Sequence, residues 1–268
     1  MMRSLAFGML TLGSVLFCGD AGRAEDIVTD ANIVTALDIS DSVAVVDMHR
    51  EIEGLALAIR SPEILAAIRS GPHGRIGFAV FAWHHDQFPL IVPWTLIASP
   101  EDAWEVAERI EARLRVDVER EARRGERFYY GRLTDLSQAI DYAAELVRAA
   151  PFAAGRSLVN IIGNGTDNVG EDAPAARDRI VATGVTVNGV VFGGDPLLLD
   201  YYRRQVVGGP GAFVLSVDEA GHMVEVLARK FRNEIAMARL PRSGVTSPPP
   251  ILLYDRVRTP MRGRPSRT

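Results

Sequence analysis

Small, oxygen-bearing side chains gather in three loops of the sequence. The first loop is Asp38 to Ser42 (Asp-Ile-Ser-Asp-Ser), the second is Gly131 to Leu136 (Gly-Arg-Leu-Thr-Asp-Leu), and the third is Gly163 to Asn168 (Gly-Asn-Gly-Thr-Asp-Asn). Carboxylate, hydroxyl and amide oxygens are hard ligands, which suit Mg²⁺, Ca²⁺ or Mn²⁺ far better than zinc or copper. The residue types of the three loops therefore indicate a site for a divalent cation.

The spacing in the first loop brings its side chains together. In an extended segment, alternate residues point to the same side. The carboxylate of Asp38 and the hydroxyls of Ser40 and Ser42 are therefore predicted to converge, whereas Asp41 points to the other side. One carboxylate and two hydroxyls form the nucleus of the predicted site.

The elements that position these loops alternate between strand and helix. Short apolar runs predict strands, and apolar residues spaced three or four apart predict helices. The predicted strands are residues 33–39, 76–83, 88–97, 158–162, 185–192 and 212–217, and the predicted helices are residues 43–69 (with a break at Ser61-Pro62), 99–127, 136–150, 173–183, 197–207 and 218–240. The helix that begins after Ser99 is predicted to bury a stripe formed by Trp104, Ala107, Ile110, Leu114 and Val118.

This alternation implies a mostly parallel sheet that is covered on both faces. The short link at residues 82–87 predicts that the second and third strands form a hairpin, and Pro93 favours an edge position for the third. The predicted fold is a Rossmann-like, three-layer α/β/α open sheet with one antiparallel edge strand. Sheets of this kind bind ligands at the C-terminal ends of their strands, where the strand order reverses. The first and third loops lie at such strand ends.

The N-terminal segment has the layout of a secretory signal peptide, predicted to span residues 1–24. Arg3 supplies a positive charge, residues 5–17 are apolar, and Ala21 to Ala24 resembles a cleavage region. The apolar run is shorter than the about 20 residues needed to cross a bilayer. We therefore expect a periplasmic or secreted protein with no membrane span after signal removal. The alternatives are an uncleaved anchor and a lipid attached to Cys18.

The C-terminal segment, residues 241–268, combines Pro248-Pro249-Pro250 with several arginines. This composition buries too little apolar surface to fold, so we predict a disordered basic tail. Residues 27–240 remain as one predicted domain. The net charge of −4 is mild and argues against a nucleic-acid partner.

The three loops, taken in order, resemble the metal-ion-dependent adhesion site (MIDAS) of von Willebrand factor type A (vWA) domains. The resemblance rests on Asp-x-Ser-x-Ser at 38–42, Thr-Asp-Leu-Ser-Gln-Ala-Ile at 134–140 and a polar residue between glycines at 163–165. More closely, the chain resembles an uncharacterised bacterial family of exported proteins with that fold. The segments that carry this second resemblance are residues 69–76, 92–95, 201–203 and 207–214, and it extends over residues 27–240.

The resemblance implies a role for each site residue. Ser40, Ser42 and Thr134 would bind the metal through their hydroxyls, and Asp38 would act through water or a hydrogen bond. Asn164 falls on a position where most such sites have Asp. An amide keeps an acceptor oxygen but removes a negative charge, and metal affinity depends on the charge of the ligands. We therefore predict an Mg²⁺ site, or a Ca²⁺ or Mn²⁺ site, that is weaker than the usual pattern gives.

The predicted donor set favours binding over catalysis. Neutral hydroxyls leave the cation under-neutralised, with an open position that a carboxylate of a protein partner can fill. We therefore predict a non-enzymatic vWA-like module whose partner offers an acidic side chain to the metal. A metal-assisted hydrolase and a metal-free scaffold with a degenerate site are the alternatives.

Other side chains could serve these alternatives. Asp135 or Asp167 could be the base of a hydrolase, which must lie within about 3 Å of the attacking water. We predict instead that Asp135 caps the helix that begins at Leu136 and that Asp167 shapes its own turn. His84 and His85 could bind a metal, but the sequence lacks a matching cluster of His or Cys, which favours a polar hairpin tip.

Overall fold

The computed structural model describes residues 27–39, 45–84, 86–124, 133–217 and 223–238 of the chain. The predicted signal peptide and the predicted tail lie outside these ranges. The same is true of Ser40, Asp41, Ser42 and His85.

A six-stranded mixed sheet forms the centre of the molecule. In chain order, the strands are β1 (Val28–Thr29), β2 (Asn32–Asp38), β3 (Ile76–Trp83), β4 (Leu90–Ile97), β5 (Ala153–Ala154), β6 (Ser157–Gly163), β7 (Thr186–Phe192) and β8 (Val214–Val217). The main sheet has the order β4-β3-β2-β6-β7-β8. Its neighbours pair in parallel except β3 and β4, which form an antiparallel hairpin with β4 at the edge. The predicted hairpin and edge strand are thus confirmed.

Two short strands were not predicted. β1 and β5 pair in parallel as a separate two-stranded sheet. Each has only two residues, so neither leaves a periodic pattern in the sequence.

Helices cover both faces of the main sheet. They are α1 (Val45–Ile59), α2 (Pro62–Arg69), α3 (Pro100–Arg124), α4 (Leu136–Arg148), α5 (Ala173–Ala182), α6 (Pro196–Tyr201) and α7 (Met223–Ala238), and a π-helical turn (Tyr202–Val206) continues α6. Helices α1, α2, α3 and α7 share one apolar core with the sheet, and α4, α5 and α6 share the other. The predicted three-layer α/β/α fold is therefore confirmed.

The residues of β2 alternate between these two cores. Ile33 and Leu37 pack on the α1–α7 side, and Val34 and Ala36 pack on the α4–α5 side. All seven residues of the strand are buried, as a strand between two helical layers requires. By the same alternation, Asp38 belongs to the α4–α5 side.

Local start and stop signals act as the sequence predicts. The hydroxyl of Ser61 accepts a hydrogen bond from the N–H of Ile64 at the start of α2, and that of Ser99 accepts one from Asp102 at the start of α3. Gly184 follows α5 with a φ of 86°, a left-handed conformation that favours glycine.

The predicted stripe of α3 is wrong at Trp104, whose exposed fraction is 52 %. The predicted members Ala107 and Ile110 are buried, and Ala103 and Val106 complete the buried stripe in place of Trp104. Successive residues of a helix are about 100° apart, so Trp104 faces away from the core when Ala103 faces it. The guanidinium carbon of Arg60 lies 4.6 Å from the centroid of the Trp104 ring. The side chains of Leu114 and Val118 lie outside the described part.

The path of the chain creates a crevice at the ends of two strands. After β2 the chain enters β3 on one side, and it later enters β6 on the other side of β2. The strand order therefore reverses between β2 and β6, which is where open α/β sheets bind their ligands. No helix of the described residues is long and apolar enough to cross a membrane.

Candidate metal centre

Asp38 is the last residue of β2 and lies at this crevice with an exposed fraction of 0 %. It pairs in register with Trp83, the last residue of β3. On the other side, Leu37 pairs with Ile162, which precedes the last residue of β6. A carboxylate is costly to remove from water unless polar or charged groups surround it. The sheet thus places a buried carboxylate at the reversal of the strand order, where the first loop begins.

Gly163 ends β6 beside Asp38. A Cβ atom on Gly163 would lie 3.0 Å from Asp38 Oδ2 and 2.7 Å from the Tyr202 hydroxyl oxygen. A side chain at this position would therefore collide with the Tyr202 hydroxyl and crowd the Asp38 carboxylate. The missing side chain leaves a cradle next to the Asp38 carboxylate, and Asn164 is the next residue along the chain.

The backbone of Thr134 is locked to the third loop. Its N–H donates to the side-chain oxygen of Asn168 at 2.8 Å, and its carbonyl accepts from the N–H of Asn168 at 3.1 Å. Thr134 is 4 % exposed. Thr134 is thus tied to the third loop, which follows β6, the parallel neighbour of β2.

Asp135 caps α4, as predicted. Its Oδ1 accepts hydrogen bonds from the N–H of Gln138 at 3.0 Å and from the hydroxyl of Ser137 at 2.7 Å. Gly170 has a φ of 87° and packs against this carboxylate, where a Cβ would lie 2.5 Å from Asp135 Oδ2. The Asp135 carboxylate is therefore occupied by the start of a helix.

Asp167 has a different role from the one predicted, because it acts on two helices instead of its own turn. Its Oδ1 accepts from the N–H of Leu136 at 2.9 Å, and its Oδ2 accepts from the N–H of Ala173 at 3.1 Å. Asp167 thus joins the first residues of α4 and α5. Burial raises its pKa to about 6, against the opposing effect of these two hydrogen bonds. The sequence places Asp167 far from Leu136, so no local pattern indicated this bond.

An acidic cavity of about 530 Å³ adjoins the third loop. Its lining includes the carboxyl groups of Asp167, Glu171 and Asp172 together with Tyr201 and Gln205. A concave surface of one charge concentrates the opposite charge in solution. The electrostatic environment of this edge therefore favours a cation, although Glu171 is also paired with a guanidinium nitrogen of Arg179 at 2.7 Å.

The donor chemistry of the described residues fits a hard cation. Asp38, Thr134 and Asn164 supply a carboxylate, a hydroxyl and an amide oxygen. Asp38 and Asn164 lie at the ends of β2 and β6, whereas Thr134 lies just before α4. Ser40 and Ser42 lie outside the described residues, so their part in the site stays a prediction. Within the described ranges, no group of three or more His, Cys, Asp or Glu side chains is arranged to hold a metal ion.

His84, the described member of the alternative histidine pair, belongs to the hairpin. It is 4 % exposed, and its backbone exchanges hydrogen bonds with that of Gln87 at 3.1 Å and 2.9 Å. This position agrees with the predicted hairpin tip.

A family model described as "Protein of unknown function (DUF1194)" matches residues 28–239 of the chain. No curated protein matches the chain. Solved structures do resemble it, at low sequence identity.

Proximal thread matrix protein 1 from the mussel byssus, in the structure described as having a zinc-occupied MIDAS motif, has a TM-score of 0.50 at 15 % identity. The match covers 80 % of this chain and 49 % of that chain. The human COPII-coat protein Sec24c has a TM-score of 0.52 at 12 % identity, over 80 % of this chain and 33 % of that chain. A von Willebrand factor type A structure from Catenulispora acidiphila has a TM-score of 0.49 at 15 % identity, over 79 % and 43 %.

The chain therefore spans half or less of the length of these proteins. At such identities the likeness concerns the fold alone, which is the Rossmann-like α/β/α fold described above.

Proposed function

The chain belongs to the DUF1194 family, and from this premise we propose that it is an exported vWA-like module that binds a protein partner through a divalent metal ion. The metal ligands are Asp38, Ser40, Ser42, Thr134 and Asn164, and the ion is Mg²⁺, with Ca²⁺ or Mn²⁺ as the alternatives. The observation that carries the proposal is the fully buried carboxylate of Asp38 at the reversal of the strand order, next to the cradle at Gly163.

A protein of the same fold supports the choice of a metal. The mussel protein is described with zinc at its MIDAS motif. This supports a divalent ion at the loops of this chain that resemble a MIDAS motif. In this chain the oxygen donors favour a harder ion than zinc.

The positions of the other carboxylates favour binding over hydrolysis. Asp135 and Asp167 are the two described candidates for a general base, and both accept hydrogen bonds from the N-terminal turns of helices. A carboxylate whose oxygens are held by backbone N–H groups is poorly placed to take a proton from water. The metal is then a bridge to a carboxylate of the partner, which completes its coordination by a charge-assisted contact.

The predicted signal peptide places the module in the periplasm or outside the cell. A partner there meets the strand-end edge from solution, and divalent ions are available without competition from cytosolic chelators such as nucleotides.

Titration of the full chain with Mg²⁺, Ca²⁺ and Mn²⁺ by isothermal calorimetry tests the metal site. We expect saturable binding that Ser40→Ala abolishes. Ser70→Ala is the matched control, because Ser70 lies at the end of α2 and its hydroxyl bonds to the carbonyl of Ala67 at 2.8 Å. A wild-type chain that binds none of the three ions would establish the metal-free scaffold in place of this proposal.

The partner function needs a second measurement. Immobilised full chain should retain a periplasmic or extracellular protein in Mg²⁺ and release it in EDTA, and Ser40→Ala should not retain it. Turnover of a phosphoester or peptide substrate that depends on Asp135 would instead support the hydrolase.

A further inference from the structure

Three polar side chains form a row across the middle of the main sheet. Thr35 on β2 pairs in register with Asn160 on β6, and Asn160 pairs in register with Asn188 on β7. All three residues are 0 % exposed. Ile33 and Leu37, two positions to either side of Thr35, belong to the apolar core that α7 shares. Alternate residues of a strand share a face, so this polar row faces α7.

The carboxylate of Glu234, on α7, accepts hydrogen bonds from the polar row. Asn188 Nδ2 donates to Glu234 Oε1 at 2.8 Å, and Asn160 Nδ2 donates to Glu234 Oε2 at 3.5 Å. Asn160 Nδ2 also donates to the hydroxyl of Thr35 at 3.3 Å. On the helix itself, Lys230 Nζ lies 2.9 Å from Glu234 Oε1, and both side chains are 0 % exposed. Glu234 therefore joins α7 to the centre of the sheet.

The buried side chains of α7 repeat every four residues. They form two parallel rows, which are Leu227, Phe231 and Ile235 in one and Val226, Lys230 and Glu234 in the other. A displacement of the helix by four residues, about 6 Å along its axis, moves each residue of a row to the place of the next. In the first row one apolar side chain then replaces another. The apolar contacts alone thus leave the axial position of α7 poorly defined.

The second row does not tolerate the same displacement. Movement in one direction brings Lys230 to the place of Glu234, and movement in the other direction brings Ala238 there. A lysine ammonium only donates hydrogen bonds, and the side chain of alanine has no polar atom. Either displacement would leave the amide of Asn188 buried without its acceptor, which is costly. Only one position of α7 satisfies the polar row.

We propose that Glu234 and the polar row determine the axial position of α7 on the sheet, and that the apolar row of α7 does not. A buried polar residue can specify register at a cost in stability, as a single buried Asn does in coiled coils. Since α7 is the last helix of the described residues, its axial position also determines where the chain after Ala238 leaves the domain. This inference is independent of the proposed metal site, and its test requires no metal ion.

The distance between two spin labels, measured by pulsed electron paramagnetic resonance, reports the axial position of α7. Glu225→Cys on α7 and Ser70→Cys at the end of α2 are exposed labelling sites, and Cys18→Ser removes the other thiol of the full chain. This labelled parent chain should show a single distance. In Lys230→Met/Glu234→Met both rows are apolar, and we expect a second population whose distance differs by up to about 6 Å.

Leu227→Ala is the matched control, because it removes apolar contacts of α7 and keeps Glu234 and the polar row. We expect a lower melting temperature, as for other large-to-small changes in a core, together with the single distance of the parent chain. A single parent distance in Lys230→Met/Glu234→Met would overturn the proposal, because the apolar row would then define the position. A second population in Leu227→Ala would contradict it for the same reason.

Exchanging the two charges separates the acceptor from the ion pair. Lys230→Glu/Glu234→Lys keeps the charges paired but moves the carboxylate by one turn of α7. We expect the label distance to change by up to about 6 Å, because the helix must move by four residues to bring the carboxylate back to the polar row. The parent distance and melting temperature in this variant would overturn the proposal, since the ion pair alone would then suffice.

Circular dichroism checks that each variant is folded. If neither double variant folds, Glu234→Gln takes their place, because it removes the charge and keeps an acceptor oxygen for the polar row. We expect this variant to retain the single parent distance. A second population in Glu234→Gln would show that charge, and not the acceptor, determines the position of α7, and it would overturn the proposal.

Discussion

The two ends of strand β2 carry two buried aspartates with opposite surroundings. Asp30 lies just before the strand and is 6 % exposed. Its carboxylate oxygens accept hydrogen bonds from the backbone N–H groups of His73 at 2.9 Å and Arg75 at 3.3 Å. Gly71 packs so closely against this carboxylate that a Cβ there would clash with Asp30 Oδ2. Asp38, at the other end, lies beside a glycine cradle and a tyrosine hydroxyl where the strand order reverses.

The difference teaches that burial alone does not reveal the role of a carboxylate. Asp30 organises one loop, between α2 and β3, by accepting its backbone N–H groups. Asp38 stands where two strands and the third loop meet. We therefore expect that replacing Asp30 changes mainly the stability of the fold, and that replacing Asp38 changes mainly its affinity for a metal.

A third buried carboxylate, Glu234, offers the strongest test of whether stability and metal affinity depend on different carboxylates. Glu234 and Lys230 are both 0 % exposed on α7, and Lys230 Nζ lies 2.9 Å from Glu234 Oε1. Asn188 donates to the same oxygen at 2.8 Å. Burial lowers the pKa of Lys230, and Glu234 opposes this effect. The pair lies between α7 and the sheet, on the face opposite to that of Asp38.

Glu234→Ala should therefore cause the largest loss of stability. Removing one partner leaves the charge of Lys230 buried and unpaired, which typically costs about 3–5 kcal/mol of unfolding free energy. Chemical denaturation measures the loss, and Glu225→Ala, an exposed site on the same helix, should change it by no more than about 0.5 kcal/mol. Mg²⁺ affinity of the folded Glu234→Ala chain should not change. A matching drop in affinity would show that the two faces are coupled and would break the separation.

The crossed pair Asp38→Ala and Asp30→Ala tests the comparison itself. Asp38→Ala should weaken Mg²⁺ binding by about 100-fold, because it removes the buried negative charge of the site. Asp30→Ala should leave Mg²⁺ affinity unchanged and lower the unfolding free energy by about 1–3 kcal/mol, since it leaves buried N–H groups without an acceptor. Calorimetry measures the Mg²⁺ affinity of both variants, and denaturation measures their unfolding free energies. The opposite pattern, with Asp30 affecting the metal, would invert the roles of the two ends.

The sequence predicts the framework of this comparison better than its polar contacts. Strand β3 has the predicted bounds, Ile76–Trp83, because a continuous apolar run has only one way to be buried on both faces. The caps at Ser61 and Ser99 are local, so their residues identify them. The loops that carry Asp38 and Asn164 were found for the same reason, because a strand end is a local signal. The loop of Thr134 was found because it leads into the predicted helix that begins at Leu136.

The remainder depends on contacts between distant parts of the chain. A Lys four residues before a Glu on a helix usually forms an exposed pair, so Lys230 and Glu234 did not indicate a buried one. The π-helical turn at Tyr202 and the bond from Leu136 to Asp167 likewise leave no periodic trace. The burial of Trp104 was predicted wrongly because the spacing of apolar residues on α3 allows either Ala103 or Trp104 to face the core. Only packing against the sheet decides between them.

Asn164→Asp sharpens the assignment of the strand-end edge to a metal. The substitution restores the negative charge that most MIDAS sites have, and ligand charge raises cation affinity. We expect Mg²⁺ to bind about 10-fold more tightly. Ser70→Asp adds the same charge at the opposite edge and controls for the net charge of the chain. Equal affinities for Asn164→Asp and the wild type would show that residue 164 does not face the ion.

The smallest expected effect concerns Asp167, which lies at the edge of the sheet that carries the proposed metal site but acts on the fold. Burial raises its pKa from 3.8 to about 6, so the folded chain holds this proton more tightly than the unfolded chain does. Its contribution to stability should therefore decrease as the pH rises from about 4 to 6, since protons bound more strongly by the folded state stabilise it at low pH. Because the group is only half-buried, solvent screening limits the change to about 1 kcal/mol.

Asp167→Asn isolates this contribution, because the amide does not titrate. Denaturation of both chains between pH 4 and 7 should show the wild type losing stability relative to the variant as the pH rises. A constant difference would mean that Asp167 ionises with an ordinary pKa. Its two hydrogen bonds to α4 and α5 would then offset its burial, and this carboxylate, like Asp30 at the other edge of the sheet, would be a structural acceptor of backbone N–H groups.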